Sequence, residues 1–366
     1  MKRNKPITIK DVARRADVGQ ATAARALGAY GRVNAATREQ VLAAAEELGY
    51  HTNALARSMV TRTTHTVGLV VADIENLFFA RIARAVTDVA RQRGYAVLLL
   101  NTDEDLGRER EAVRVLTEQR VDGLIVVPAS ASNGAHLVSL KQRHVPVVLL
   151  DRSVDEMEAD TIMVDNFAAA YRATHYLVEL GHQRVGIATA AATIASTTAR
   201  LAGYRQALAD GGVAQSDWWI RIAGYSEAVA QAEIAALLAR PEAERPTAIL
   251  GTDSILTAGA FRAIQACGLV IPADISLIGF DDVDWMSMVR PMVTVVNQPE
   301  YELGKRAAER LMARIEGDES PAQQVRLETE LIVRRSCARP SINHAMSACR
   351  LVDPRDGMEN IVARIN

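Results

Sequence analysis

The sequence lacks the segments that would place it in a membrane or on a secretory route. No apolar run approaches the roughly 18 residues that a membrane-spanning helix requires. The N-terminus, Met1–Pro6, is basic, but no apolar stretch follows it, so we expect no secretory signal. Cys267, Cys337 and Cys349 are odd in number and have no metal-ligand spacing. These absences predict a protein of a reducing, cytoplasmic compartment.

Signatures of catalysis are missing as well. The chain contains no glycine-rich dinucleotide fingerprint, no phosphate-binding loop, no serine nucleophile elbow and no zinc-protease helix motif. Its seven histidines include no pair at helical metal-ligand spacing, and His182 is interpreted as structural. We therefore expect no catalytic residue, no metal and no cofactor. An α/β enzyme that acts on sugars is the alternative, and turnover of a bound sugar would establish it.

The small net charge conceals two oppositely charged regions. The 366 residues are 49% apolar and 23% charged, which predicts a globular protein of two or three domains. Residues 1–65 hold eleven Lys/Arg and five Asp/Glu, a net of +6, whereas the remaining 301 residues have a net of −8. A basic head on an acidic body favours a head that meets a polyanion. A solvated basic surface without a partner is the alternative.

Residues 8–50 predict three short helices. Thr8 and Asp11 resemble a capping box, and apolar residues then recur at helical spacing. Residues 17–19 interrupt this pattern before a second short helix, from Gln20 to Leu27. A third helix signature begins at Thr37 and ends before a glycine. This arrangement is typical of a helix-turn-helix domain, with an ordinary three-helix cap as the alternative.

Three separated segments carry a family resemblance. The segments are Thr8-Ile9-Lys10-Asp11-Val12-Ala13, Glu47-Leu48-Gly49-Tyr50 and Ala54-Leu55-Ala56-Arg57-Ser58-Met59. Together they resemble the headpiece of the lactose/galactose (LacI-type) repressor family. The resemblance implies a DNA-binding headpiece over residues 1–52 and a hinge helix with its linker over residues 53–65.

The same resemblance implies how DNA is bound. The second helix is expected in the major groove, where Arg25 reads a guanine, with a phosphate contact as the alternative. The hinge helices of two subunits are expected in the minor groove, with Met59 in place of the usual leucine wedge. The expected DNA-binding residues are Thr8, Gln20, Ala21, Thr22, Arg25, Asn53, Ala56, Arg57 and Met59.

From Val67 onward the sequence period changes. Short apolar runs alternate with helical segments, which predicts repeated βαβ units in a doubly wound parallel sheet, and the pattern starts again near residue 161. The family resemblance implies a two-lobed, periplasmic-binding-protein-like core over residues 66–340. We expect one lobe at about 66–163 plus 296–320 and the other at about 164–295 plus 321–340. The tail, residues 341–366, is interpreted as disordered or as a loosely docked segment.

Hydroxyl, carboxylate, arginine and aromatic side chains follow the predicted strands, where open α/β sheets bind ligands. The resemblance assigns Arg200 and Asp281 to an effector and Phe79 to the pocket lining. A surface ion pair, a helix cap and a core position are the respective alternatives. Ile194 stands where purine-binding relatives have a cation, which favours a neutral monosaccharide over an anionic or purine effector. The expected effector-binding residues are Phe79, Ser196, Arg200, Tyr225, Asp253, Asp281 and Trp285.

These expectations combine into one hypothesis. The resemblance implies a cytoplasmic, homodimeric transcription regulator, a repressor, that binds a roughly palindromic operator. A small sugar-like effector between the lobes changes operator binding. The alternatives are a sugar-binding protein without a DNA function and a regulator controlled by a protein or by a non-sugar corepressor.

Overall fold

The computed structural model describes residues 7–28, 31–50, 63–155, 157–191 and 193–340. The chain divides into two compact units. The first extends to Thr66 and includes Thr117–Asp122, and the second contains Val67–Leu116 and the residues from Gly123 onward. The predicted tail, residues 341–366, lies outside the described residues.

The first unit contains three helices: α1 (Ile9–Arg15), α2 (Gln20–Gly28) and α3 (Ala35–Glu47). Asp11 Oδ2 accepts hydrogen bonds from Thr8 N at 2.9 Å and from Thr8 Oγ1 at 2.7 Å, so the predicted pairing at the start of α1 is present. The predicted start of the third helix at Thr37 is wrong. Asn34 Oδ1 accepts from Thr37 N at 2.7 Å, and this cap starts α3 at Ala35.

Small side chains dominate the core of this unit. Its buried residues are Val12, Ala13, Ala16, Ala23, Ala26, Val41, Ala44 and Ala45. Because most of them are alanines, the helices approach closely and little apolar area is buried. The helix-turn-helix expectation for this part of the chain is confirmed.

The chain from Thr66 onward alternates strands and helices. Up to Val164 the elements are β1 (Thr66–Val71), α4 (Leu77–Gln92), β2 (Ala96–Asn101), α5 (Leu106–Glu118), β3 (Gly123–Val126), α6 (Ala135–Gln142), β4 (Val147–Leu150) and β5 (Asp160–Val164). They are followed by α7 (Asn166–Glu179), β6 (Val185–Thr189), α8 (Ala195–Asp210), β7 (Ile220–Ile222), α9 (Glu227–Leu238), β8 (Ala248–Gly251), α10 (Ser254–Ala266), β9 (Ser276–Phe280), α11 (Asp284–Met288), β10 (Thr294–Asn297), α12 (Glu300–Ile315), β11 (Gln324–Leu327) and β12 (Glu330–Ile332).

The strands form two sheets with matching order, one in each lobe. The sheet of the first lobe has the described order β11-β5-β4-β3-β1-β2, and that of the second has β12-β10-β9-β8-β6-β7. Eight of the neighbouring pairs are parallel, and β10 with β12 is antiparallel. The prediction of two doubly wound lobes is confirmed, and the last strand of the second sheet is the departure from purely parallel pairing.

The predicted lobe boundary near residue 321 is wrong. The sequence predicts one strand over Val325–Val333, but two short strands are present and they belong to different sheets. Val325 pairs with Ile162 in the first lobe, whereas Leu331 pairs with Val296 in the second. The chain therefore crosses between lobes at residues 328–329.

Within the described chain, three segments connect the lobes. They lie between β5 and α7, between β10 and α12, and between β11 and β12. Each lobe has its own buried core. One core packs β1, β3 and β4 against α4 and α12, and the second lobe buries an apolar cluster on each face of its sheet. No helix among the described residues is both long enough and apolar enough to cross a membrane.

Candidate functional site

The exposed face of α2 carries the predicted base-reading residues. Gln20, Ala21 and Arg25 are exposed, and Thr22 is half-buried. Arg25 Nε donates to the carbonyl of Ala21 at 3.3 Å, and its Nη2 donates to Thr22 Oγ1 at 3.4 Å. Both bonds are long and lie on the helix's own surface, so exchanging them for contacts to DNA costs little free energy.

The remaining predicted DNA contacts are only partly described. Thr8 is exposed at the start of α1. Asn53, Ala56, Arg57 and Met59 lie outside the described residues, as does the predicted hinge helix. The described members of this set are therefore exposed or half-buried, and their contacts to DNA, like those of the hinge, stay a prediction.

A cavity of about 600 Å³ lies between the two lobes. The residues that line it belong to the segments after the carboxyl ends of strands in both sheets: Asp73, Ile74, Glu75, Asn101, Asp103, Glu104, Ala129, Ala191, Thr193, Ile194, Gly224 and Tyr225. Because the strands of each lobe are mostly parallel, these segments meet at one edge of each sheet. The predicted ligand cleft is present at the predicted edge.

Arg152 organises the wall that the first lobe contributes. It follows β4, is only 3% exposed, and has an acceptor for each of its five N–H groups. Its two terminal nitrogens bind the Glu104 carboxylate at 2.5 and 2.7 Å. Its other acceptors are Asp151 Oδ2, the Pro128 carbonyl and, at 3.4 Å, the hydroxyl of Tyr225 in the second lobe. One guanidinium thus joins three loops of its own lobe to the opposite lobe.

Arg200 is the centre of a second buried network, in the second lobe, and it is not among the residues that line the cavity. It lies on α8 and is buried, with its guanidinium carbon 4.5 Å from the centre of the Phe280 ring. Its Nε donates to Asn166 Oδ1 at 2.7 Å, and its other nitrogens donate to the Thr252 carbonyl and, at 3.5 Å, to Gln298 Oε1. The surface ion pair considered as an alternative is therefore wrong. Two of its five N–H donors have no acceptor among the described residues.

Asp253 and Asp281 are buried beside this arginine. Burial raises the pKa of Asp253 to about 7 and also raises the pKa of Asp281, against the opposing effect of Arg200. Asp281 accepts from Gln298 Nε2 at 2.6 Å, and its backbone φ is +64°. It does not cap α11, which begins after Val283, so the cap considered as an alternative is wrong. Protonated or ionised, such buried carboxyls need polar partners.

The remaining predicted effector residues have different surroundings. Tyr225 lines the cavity, and burial raises the pKa of its hydroxyl to about 12. Ser196 is buried in the first turn of α8. Phe79 is 4% exposed and packs in the core of the first lobe with its ring centre 5.0 Å from that of Phe78. Trp285 is half-buried on the second lobe's core, 5.5 Å from the Phe261 ring.

Several polar residues of this site were not predicted. Glu104, Arg152, Asn166 and Gln298 complete the two arginine networks. Arg152 and Gln298 follow strands β4 and β10 directly, so the rule that placed the cleft would also have found them. Asn166 was interpreted only as part of a helix start, and the structure shows that it accepts from Arg200 while Asp165 caps α7.

Family comparisons agree with this geometry. Residues 8–53 match the model described as bacterial regulatory proteins of the lacI family. Residues 64–335 match the model described as periplasmic binding proteins and the sugar-binding domain of the LacI family. The second match begins at residue 64, close to Val67, where the second unit of the structure begins.

Individual relatives and solved structures match between 75% and 91% of this chain. The HTH-type transcriptional repressor PurR of Aliivibrio fischeri is 32% identical over 90% of this chain and 98% of its own. The crystal structure of a Lac repressor dimer bound to operator and an anti-inducer is similar with a TM-score of 0.81, at 27% identity, over 91% of this chain and 100% of the other. A LacI family regulator from Enterococcus faecium with bound ribose has a TM-score of 0.67 and 28% identity, over 75% and 100%.

Proposed function

Because the chain belongs to the lacI family of bacterial regulatory proteins, we propose that it is a repressor whose operator affinity is set by a sugar bound between its lobes. The observation that carries the proposal is the combination of an exposed helix-turn-helix surface with a polar cavity in a two-lobed core. A repressor of this kind acts in the cytoplasm, where its operator is.

Operator recognition rests on the headpiece. The exposed α2 surface presents Arg25 and Gln20, whose side chains match guanine and adenine edges in the major groove. The neighbouring Ala21 offers a methyl contact to thymine. The basic charge of residues 1–65 supplies phosphate binding, since their net charge is +6.

A neutral monosaccharide suits the cavity best. The cavity is lined by carboxylates and by the hydroxyl groups of Thr193 and Tyr225, all of which form hydrogen bonds with sugar hydroxyls. Ile194, which lines the cavity, offers no charge to a purine corepressor or an anion. The similar regulator crystallised with ribose supports a small sugar, whereas the PurR relatives make purines the competing class.

A homodimer is the expected assembly. The outer strands β2 and β7 leave one edge of each sheet open, and large apolar side chains are exposed on or near these edges: Leu98 40%, Leu99 37%, Ile222 59% and Val229 45%. Exposed apolar side chains at sheet edges favour association. A two-fold dimer also matches a palindromic operator, with one headpiece for each half-site.

The proposal is tested first on DNA. Selection of binding sequences from a random pool is expected to yield a roughly palindromic site. Affinity for that site should fall steeply as salt rises, because phosphate contacts release counterions. Weak, salt-independent binding without sequence preference would instead support a sugar-binding protein whose head has no DNA function.

The effector is tested on the same full-length protein. A thermal-shift screen of monosaccharides, polyols, sugar acids and nucleobases is expected to single out a neutral sugar. That sugar should change operator affinity, since binding of the two ligands is thermodynamically linked. Replacement of Arg200 with alanine should remove the response to the sugar and leave operator affinity nearly unchanged. A purine hit would replace the sugar by a corepressor of the other class.

A further inference from the structure

The cavity is unevenly charged. Among the described residues that line it, Asp73, Glu75, Asp103 and Glu104 are acidic and none is basic. All four acidic residues belong to the first lobe, in the segments after β1 and β2. A ligand that occupies the cavity therefore meets one wall made largely of carboxylates.

The nearest guanidinium groups do not turn this wall into an anion site. Arg152 lies behind Glu104, and all five of its N–H groups donate to protein acceptors. Two of these hydrogen bonds go to the Glu104 carboxylate. Arg108 pairs with Asp103 on the surface. Each of these cations is matched by a carboxylate, while Asp73 and Glu75 have no ion pair with a described base.

We propose that Glu104 is a specificity-determining residue that admits unphosphorylated sugars and excludes their phosphates and sugar acids. It combines a place on the cavity wall with a fixed orientation, because its carboxylate is held by both terminal nitrogens of buried Arg152. Asp73, Glu75 and Asp103 extend the same negative wall. The inference rests on the proposed function, since it assumes that the cavity is the effector site.

The physical basis is repulsion in a partly desolvated space. A phosphate or carboxylate beside these four carboxylates is disfavoured, because like charges repel and the half-buried Glu104 is less screened by water than an exposed group. Arg152 and Arg108 cannot offset this repulsion by binding the anion, because they would have to give up hydrogen bonds or ion pairs within the protein. Neutral hydroxyls do not incur the repulsion and gain hydrogen bonds.

The test compares neutral sugars with their own phosphates. Calorimetric titrations of the full-length protein would use D-ribose against D-ribose 5-phosphate, D-glucose against D-glucose 6-phosphate, and D-fructose against D-fructose 6-phosphate. For the sugar that binds, the phosphate is expected to bind at least about a hundredfold more weakly, as several like charges lie within reach. The ratio of the two dissociation constants, phosphate over neutral sugar, should fall about tenfold in Glu104→Gln. This variant removes one negative charge from the wall and leaves the positive charge of Arg152 without its main partner.

Two further variants keep the test decisive. Glu75→Gln removes a charge from an exposed position on the same wall, so it should narrow the ratio by a smaller factor even where Glu104→Gln folds poorly. Glu111→Gln, on the outer surface of α5 where it pairs with Arg114, is the matched control and should leave the ratio unchanged.

The possible failures are distinguishable. Equal or tighter binding of a phosphate by the wild-type protein overturns the inference and leaves the proposed sugar response in place. An unchanged ratio in both wall variants overturns the role of Glu104 and its neighbours. Binding of no member of either set counts against the proposed effector class itself and removes the basis of the inference.

Discussion

The two lobes share one strand order and differ in how their arginines are used. Each sheet places an arginine-centred network at its carboxyl edge. In the first lobe Arg152 is fully occupied and neutralised by Glu104, whereas in the second Arg200 keeps two donors beside carboxyls whose pKa values are raised. A shared fold thus holds one arginine whose donors are all used by protein acceptors and one that keeps two donors unused.

The sharpest way to break this comparison is to remove each arginine in turn. Arg152→Met should lower the free energy of unfolding by about 3–5 kcal/mol, because Glu104 and Asp151 lose the cation that compensates their burial. Arg200→Met should cost less, about 1–2 kcal/mol, since its neighbouring carboxyls take up protons readily. Urea unfolding at neutral pH measures both.

A double variant supplies the control for this prediction. Adding Glu104→Gln to Arg152→Met should restore part of the lost stability, because the carboxylate that had become unpaired is now neutral. Equal losses for the two arginine variants would mean that the lobes do not differ in the way described.

Helix packing gives a second comparison of the lobes. A methyl group added at Gly203 on α8 would lie 2.2 Å from the Phe167 carbonyl oxygen, and one at Gly304 on α12 would lie 2.5 Å from that of Ile82. Both glycines allow backbone-to-backbone approach of two helices. We expect Gly203→Ala to cost about 3–4 kcal/mol and Gly304→Ala somewhat less.

Thermal or urea unfolding of each glycine variant measures these losses. Gly19→Ala is the control, since nothing lies within 4 Å of the added methyl group there, and it should change stability by less than about 0.5 kcal/mol. Losses of that small size at Gly203 would show that α7 and α8 move apart easily.

Acid should weaken the second lobe through His182. This histidine is buried and hydrogen-bonded to Thr247, Ser276 and the Ala338 carbonyl, and burial lowers its pKa from 6.5 to about 4. The unfolded chain therefore binds the proton more readily between these pH values. Neutral His182 therefore makes its full contribution to the free energy of unfolding above about pH 6.5. As the pH falls toward 4, the free energy of unfolding decreases by about 2–3 kcal/mol.

The measurement is the difference in unfolding free energy between wild type and His182→Gln as a function of pH. Subtraction is needed because Asp253, with its pKa raised to about 7, contributes in the opposite direction over part of this range. A difference that does not vary between pH 4 and 6.5 would contradict the assignment.

The smallest effect is expected outside both lobes. Arg25→Ala should reduce discrimination at one base pair of the operator by about 1–3 kcal/mol, because a bidentate contact to guanine is lost. Binding of the selected operator and its single-base variants measures this. If the variant instead loses the same affinity for every sequence, Arg25 contacts phosphate and not a base. Arg262→Ala, on the exposed surface of the second lobe, is the control and should leave binding unchanged.

The sequence predicts the order of strands and helices, and the sheet edges that carry the cleft, better than it predicts which side chains form hydrogen bonds with each other. The alternation of strand and helix periodicity predicts the two βαβ lobes, and the polar residues that follow the strands predict the position of the cleft. The single strand expected over Val325–Val333 was wrong because apolar alternation does not reveal which sheet a residue joins. Asp281 and Arg200 were expected at the cleft, but their partners Gln298 and Asn166 are distant in sequence, and no local pattern connects them. Phe79 shows the same limit: its apolar ring fits both a core and a pocket, and the structure places it in the core.

The three segments that connect the lobes have a mechanical consequence. A lobe joined to the other by a single flexible segment could rotate in any direction. Three adjacent connecting segments allow mainly one rotation, about an axis that passes through them. Opening and closing of the cavity then has approximately one degree of freedom. We therefore expect the proposed sugar effector to alter operator affinity by changing this one angle.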